Sequence, residues 1–203
     1  MENKLIQATA KSLARWMNRY ANKEGLELQK LELGLEAYII NTTNLIIIYL
    51  LAALLGSLAQ TAIIHFAFII IKRYSFGVHA LNSTVCTLVS CFTFVITPLL
   101  VSNMGVNNFG VLVVFVAVIS FLYRYAPADT KARPIIGATL RGWLKMKAVV
   151  CGLLLMVIAL VVPNEHFKLL LSLGAVFQCI SIFPLTYKIL RRSERNYEKY
   201  ECA

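Results

Sequence analysis

Residues 37–56 read AYIINTTNLIIIYLLAALLG. No charge interrupts them. As an α-helix rising about 1.5 Å per residue they cover about 30 Å, the thickness of a bilayer's hydrocarbon core. The whole chain has the composition to match. Of its 203 residues 59% are hydrophobic and 15% charged, whereas soluble domains run at about 45–50% apolar and about 25% charged. Both departures point to a membrane protein.

Working outward from this stretch, six apolar segments can be read, at about 37–56, 58–71, 84–102, 108–123, 148–163 and 167–187. The expected fold is an all-α, polytopic membrane helix bundle. The second segment is short for a span, reaching only about 21 Å as a helix. Pro98 and Pro184 fall inside segments and are expected to kink them, because proline removes a backbone donor and crowds the preceding turn.

Basic residues set the direction, since Lys and Arg accumulate in cytoplasmic loops. If all six segments span, 19 of the 20 lysines and arginines fall on one side. They lie in the N-terminal region, at Lys72 and Arg73, between Arg124 and Lys147, and in the C-terminal tail. The connections GSLAQT and SNMGVNN carry no charge, and the last outer connection has only Glu165 and Lys168. Six spans with both termini in the cytoplasm of a cell-membrane protein are therefore expected. The net charge of +10 then lies on the cytoplasmic face, where it attracts anionic membrane lipids by about 1 kcal/mol per basic residue. An acidic partner suits the same face. A nucleic-acid partner does not follow, because no recognised binding module is present.

Three regions follow: a basic, amphipathic interfacial region at 1–35, an integral membrane domain at 36–190, and a basic, polar cytoplasmic tail at 191–203. In the first, KLIQATAKSLARWMNRYAN gathers Leu5, Leu13, Trp16, Met17 and Tyr20 near one helical face, with most basic residues elsewhere. That pattern suits a helix lying in the membrane interface. The first 36 residues lack the apolar core and cleavage site of a signal peptide and read as part of the mature chain. The five cysteines are odd in number and form no CxxC pair, so reduced thiols are expected.

The chemistry-bearing stretch is KRYSFGVHALNSTVC, residues 72–86, which holds His79 and Cys86. A thiol attacks as its thiolate, and a nearby histidine can take its proton or pair with it. Seven residues along a straight helix separate the two by about 10.5 Å, too far for contact. A dyad therefore requires a break near 77–83, for which Gly77 is the permissive point, with Cys86 in the first turn of the next helix. Spacing alone leaves other readings open. The cysteine is also a common small apolar residue of membrane spans, and two ligands without a third candidate do not make a metal site.

The stretch RYSFGVHALNSTVC resembles the signature of the accessory gene regulator B (AgrB) family, matching it at Arg73, Gly77, His79, Ala80 and Cys86. Phe76 stands where that family usually has the first glycine of a pair. APADTKARPI, residues 126–135, resembles the family's second signature, between the fourth and fifth spans. The resemblance extends over nearly the whole chain. It implies a membrane cysteine endopeptidase of quorum sensing, acting on an AgrD-like precursor peptide with an acidic C-terminal tail. Cys86 would be the nucleophile and His79 the base. A thioester acyl-enzyme would form as the tail leaves, and a substrate cysteine would close a thiolactone ring. Lys72, Arg73, Gly77, Lys131 and Arg133 are the expected substrate-binding residues. No metal or cofactor is expected, the site would face the cytoplasm, and a homodimer is one assembly open to the chain. The competing classes are a small transporter, which would normally show internal repeats, and a structural or lipid-binding membrane protein, which would tolerate loss of Cys86.

Overall fold

The computed structural model describes residues 4–77, 83–130, 135–190 and 196–198. Their regular structure is helical, with one isolated backbone bridge and no strand among the described residues. The helices are α1 (Lys4–Ala21), α2 (Gly25–Leu54), α3 (Leu58–Ser75), α4 (Ser83–Cys91), α5 (Thr97–Leu100), α6 (Asn108–Tyr125), α7 (Ala138–Val161), α8 (Glu165–Ile182) and α9 (Pro184–Ile189). A π-helical turn, Phe92–Ile96, joins α4 to α5. Four helical stretches are long and apolar enough to cross a bilayer: Glu27–Leu54, Asn108–Tyr125, Ala138–Val161 and Glu165–Ile182. Thr84–Leu100 is a shorter apolar helix.

All six apolar segments lie on helix, but two helices begin well before their apolar runs. α2 starts at Gly25 and α7 at Ala138, so each carries a charged stem ahead of its apolar part. Charged side chains disturb a helix little while their ends reach water, and hydropathy alone therefore misplaced both starts.

α3 is the centre of the bundle, packing against α8, α7 and α2. Its buried residues Ala67 and Ile71 join Phe115, Leu122, Leu155, Leu171 and Ile182 in one core. Ile64 joins Ile48, Phe94, Val95 and Leu170 in a second. The α3–α8 crossing is close because Gly174 has no side chain: a Cβ there would lie 2.4 Å from the Ile64 carbonyl oxygen and 2.7 Å from the Ala67 Cβ. Small residues at such crossings let helix backbones approach in the absence of a hydrophobic drive between them. Enclosure by other helices lets α3 carry His65 and Thr61, both buried, where a lipid-facing helix would not.

Pro98 and Pro184 each have the carbonyl they orphan satisfied. Pro98 cannot donate to the oxygen of Phe94, four residues back, and Thr61 Oγ1 donates to that oxygen instead at 2.8 Å. Pro184 opens α9 after a break at Phe183, and Thr186 Oγ1 donates to Ile180 O at 2.6 Å.

The two ends of the bundle are distinct. At one end the residues after α3, those after α6 and part of the C-terminal tail meet. Gly77 bonds to Ala128, Tyr187 Oη donates to Ala128 O at 3.3 Å, and Asp129 accepts the Asn196 and Tyr197 N–H groups at 3.0 Å each. At the other end Val106 N donates to Glu165 O at 3.1 Å, and His166 Nδ1 lies 2.9 Å from Met104 O.

α1 packs on α2, and its Ala10 and Ala14 are buried. Leu13, Trp16, Met17 and Tyr20 remain exposed, the apolar face expected for an interfacial helix.

Candidate active site at the α3–α4 break

Helix α3 stops at Ser75. Phe76 has φ 58° and Gly77 φ 117°, both positive, and helix resumes as α4 at Ser83. A positive φ is uncommon for a bulky residue and costs free energy unless its surroundings impose it. Three contacts do so. Gln178 of α8, fully buried, donates from Nε2 to Ser75 Oγ and to Phe76 O, each at 2.7 Å. Phe76 pairs in parallel with Ala128, so that Ala128 N donates to Ser75 O at 2.9 Å and Gly77 N to Ala128 O at 3.1 Å. Finally, Gly77 lies against α8: a Cβ there would meet Ser181 Oγ at 2.7 Å. The two sequence signatures, far apart in the chain, thus share a backbone ladder. Phe76 in place of the usual glycine does not prevent the turn, because Gln178 holds its carbonyl.

Cys86 lies in the first turn of α4 and is half-buried. The next residue, Thr87, donates to Asn44 Oδ1 of α2 at 2.5 Å, so α4 is fixed to α2 beside the thiol. Lys72, the first residue beyond the apolar run, is also half-buried, its ammonium 4.8 Å from the centre of the Phe68 ring. Burial lowers the Lys72 pKa from the usual lysine value, and the charge of nearby Cys86 opposes that shift.

Of the expected site residues, Lys72, Gly77 and Cys86 therefore surround the α3–α4 break, while Arg73 is adjacent but exposed. His79, Lys131 and Arg133 lie outside the described residues, as does Cys202. Cys151 and Cys179 are buried in the core, and Cys91 is half-buried further along α4. His65 sits inside the bundle, its Nδ1 3.2 Å from Tyr49 Oη and its ring 4.7 Å from that of Phe94, as an interior histidine with partners does.

Three features escaped the sequence reading. Asn44 is one of several polar residues in an apolar run, and nothing in its spacing shows that it meets Thr87. Asp129 stands inside the second signature, yet its carboxylate anchors the tail. A cavity of about 200 Å³ opens beside the 126–129 loop, lined among others by Arg124, Arg141, Lys145, Tyr187 and Tyr197. The Arg141 guanidinium lies 3.9 Å over the Tyr197 ring and donates to Ile135 O at 3.1 Å. Charge clustering between Arg124 and Lys147 could have signalled this basic cavity.

The family model described as accessory gene regulator B matches residues 10–182. An AgrB-like protein of Clostridium acetobutylicum is 40% identical over 200 residues, 98% of this chain and 96% of the relative. An AgrB-like protein of Listeria monocytogenes serotype 4a is 44% identical over 172 residues, 85% of this chain and 84% of the relative. Accessory gene regulator protein B of Staphylococcus intermedius is 31% identical over 181 residues, 89% of this chain and 95% of the relative. No solved structure matches the chain.

Proposed function

From the premise that the chain belongs to the accessory gene regulator B family, we propose that it is a membrane cysteine endopeptidase that cleaves an AgrD-like precursor peptide and cyclises the product. Cys86 is the nucleophile and His79 the base. The observation that carries this reading is the place of Cys86, half-buried in the first turn of α4 and close to Lys72, after α3 has ended in a turn at Phe76 and Gly77. One unbroken helix from His79 to Cys86 would hold them about 10.5 Å apart along the axis, beyond the reach of a general base, so the reading requires the chain to bend between them.

In the first step His79 takes the Cys86 proton, and the sulfur attacks the carbonyl carbon at the signal–tail junction. The C–N bond then breaks, the tail's new amine takes up a proton, and the signal portion remains on Cys86 as a thioester. A cysteine thiolate of the substrate next attacks that thioester. Its sulfur bonds to the carbonyl carbon, Cys86 leaves as thiolate, and a thiolactone closes. The exchange is nearly isoenergetic, so proximity and the exclusion of water govern it. Lys72, close to Cys86, offers a positive charge to the anionic sulfur in both steps. The basic end of the bundle, which faces the cytoplasm in the six-span topology, complements an acidic tail. Arg73 belongs to that end and would hold the tail together with Lys131 and Arg133, and the exposed face of α1 suits the interface where an amphipathic leader would lie.

Co-expression with a precursor peptide tests the reading. The wild-type protein should release the tail and form the ring, whereas Cys86→Ala and His79→Ala should do neither. Full processing by Cys86→Ala would exclude the mechanism.

A further inference from the structure

We propose that Asn44 is an oxyanion donor for the carbonyl that Cys86 attacks, an inference that rests on the peptidase reading above. Asn44 lies within the apolar part of α2, where a polar side chain is costly unless it has partners or a task. It is only 8% exposed. Its carbonyl oxygen is spent on Thr87 Oγ1 at 2.5 Å, which fixes the rotation of the amide. Among the described residues no acceptor engages the amide N–H₂. The structure therefore holds a polar donor in a set orientation, in an apolar span, one residue along the chain from the nucleophile's position on the facing helix.

A thiol acyl transfer needs such a donor. When the Cys86 sulfur bonds to the carbonyl carbon, the π-electron pair moves to the oxygen and leaves it anionic. When the C–N bond breaks, the pair returns and the amine of the tail takes the proton. Charge develops on that oxygen twice, once as the tail leaves and once as the ring closes. Preorganised amide donors in a site shielded from water are worth far more there than in bulk solvent, and loss of one typically costs about 10²–10³-fold in kcat. First-turn N–H groups of a helix lack intrahelical acceptors. Cys86 sits in such a turn, which supplies backbone donors at the same end of α4. Asn44 would complete the set from the side of α2. A purely structural Asn44 would need only its oxygen, to hold Thr87.

Asn44→Asp and the isosteric Asn44→Leu separate these roles. Asp keeps the acceptor for Thr87 and loses the N–H₂ group, whereas Leu loses both. Each variant is purified as the full-length protein and assayed with a synthetic precursor peptide, beside wild type and Cys86→Ala. Alkylation of Cys86 by iodoacetamide, followed by mass spectrometry, reports separately on the fold and the thiolate. In both variants tail release at saturating precursor should fall about 100-fold or more. KM should stay within a few-fold, and in Asn44→Leu, which brings no charge beside the thiol, the rate of Cys86 alkylation should stay within about two-fold of wild type. Wild-type tail release by Asn44→Asp, with Cys86→Ala inactive, overturns the oxyanion role and leaves the peptidase reading standing. A parallel loss of alkylation and tail release in the uncharged Asn44→Leu also overturns it, because Asn44 would then serve the thiol's position or ionisation. Activity in Cys86→Ala removes the peptidase reading and this inference with it.

Discussion

Gly77 and Ala128 are joined through their backbones, the Gly77 N–H donating to the Ala128 carbonyl oxygen at 3.1 Å. This bond ties the turn that ends α3 to the loop that follows α6, and the fully buried side chain of Gln178 clamps it from α8. The stretch leading from that turn to Cys86 is therefore anchored at its start on three elements of the bundle.

Gly77→Val should abolish or strongly reduce precursor processing while the protein still inserts in the membrane. Any Cβ at this position is 2.7 Å from Ser181 Oγ. The residue also has φ 117°, a conformation that costs a non-glycine residue about 1–3 kcal/mol. Membrane fractionation and a processing assay on the same cells check this. Wild-type processing by Gly77→Val would show that the turn is not needed.

Gln178→Leu should lower thermal stability in detergent by about 1–3 kcal/mol, because Ser75 Oγ and the Phe76 carbonyl lose a buried donor. Its kcat for tail release should fall as well, since the turn before His79 loosens. A stability and a rate both equal to wild type would count against the clamp.

Much of this fold was legible in the sequence. The apolar runs marked the helices, the basic residues marked one end of the bundle, and Gly77 marked the break in the chain. What sequence could not supply was lateral placement. Periodicity says nothing about which segment is enclosed, so the shortest segment became the centre of the bundle without warning. The Gly77–Ala128 and Asn44–Thr87 pairs join residues about fifty and forty positions apart, and no local pattern encodes such contacts. The helical stem 138–147 was missed because its charged side chains hide the helix from a hydropathy reading.

Lys72→Met should slow iodoacetamide alkylation of Cys86 at neutral pH, and Lys72→Arg should largely preserve it. A cation beside the sulfur attracts the negative charge that the attacking sulfur carries, and Met removes that cation. Because burial lowers the Lys72 pKa, the wild-type lysine loses its charge at lower pH than an ordinary lysine. Arginine does not lose its charge in this range. The advantage of Lys72→Arg over wild type should accordingly grow as pH rises into the alkaline range. Equal alkylation rates in all three proteins would exclude the electrostatic role.

Single-cysteine labelling in a cysteine-free background should find positions 103–107 and 164–166 accessible from outside the cell, and position 124 and positions 138–145 only from the cytoplasm. Val106 bonds to Glu165 at one end of the bundle and Gly77 to Ala128 at the other, so the two sets belong to opposite ends. Labelling of position 141 from outside would overturn the assigned orientation.

Among the five cysteines, changing Cys91, Cys151, Cys179 or Cys202 to Ala should leave processing intact, while Cys86→Ala and Cys86→Ser should abolish cleavage and ring closure together. Loss of ring closure alone in a Cys86 variant, with cleavage retained, would separate two steps that the mechanism assigns to one sulfur.

The most direct measurement is mass spectrometry of the wild-type protein after reaction with a precursor whose ring-forming cysteine is replaced by alanine. Such a substrate can acylate the protein but cannot close the thiolactone. The account predicts an adduct with the mass of the signal portion, located at Cys86, released by neutral hydroxylamine and absent from Cys86→Ala. Tail release without any adduct at Cys86, or an adduct at another cysteine, would contradict it.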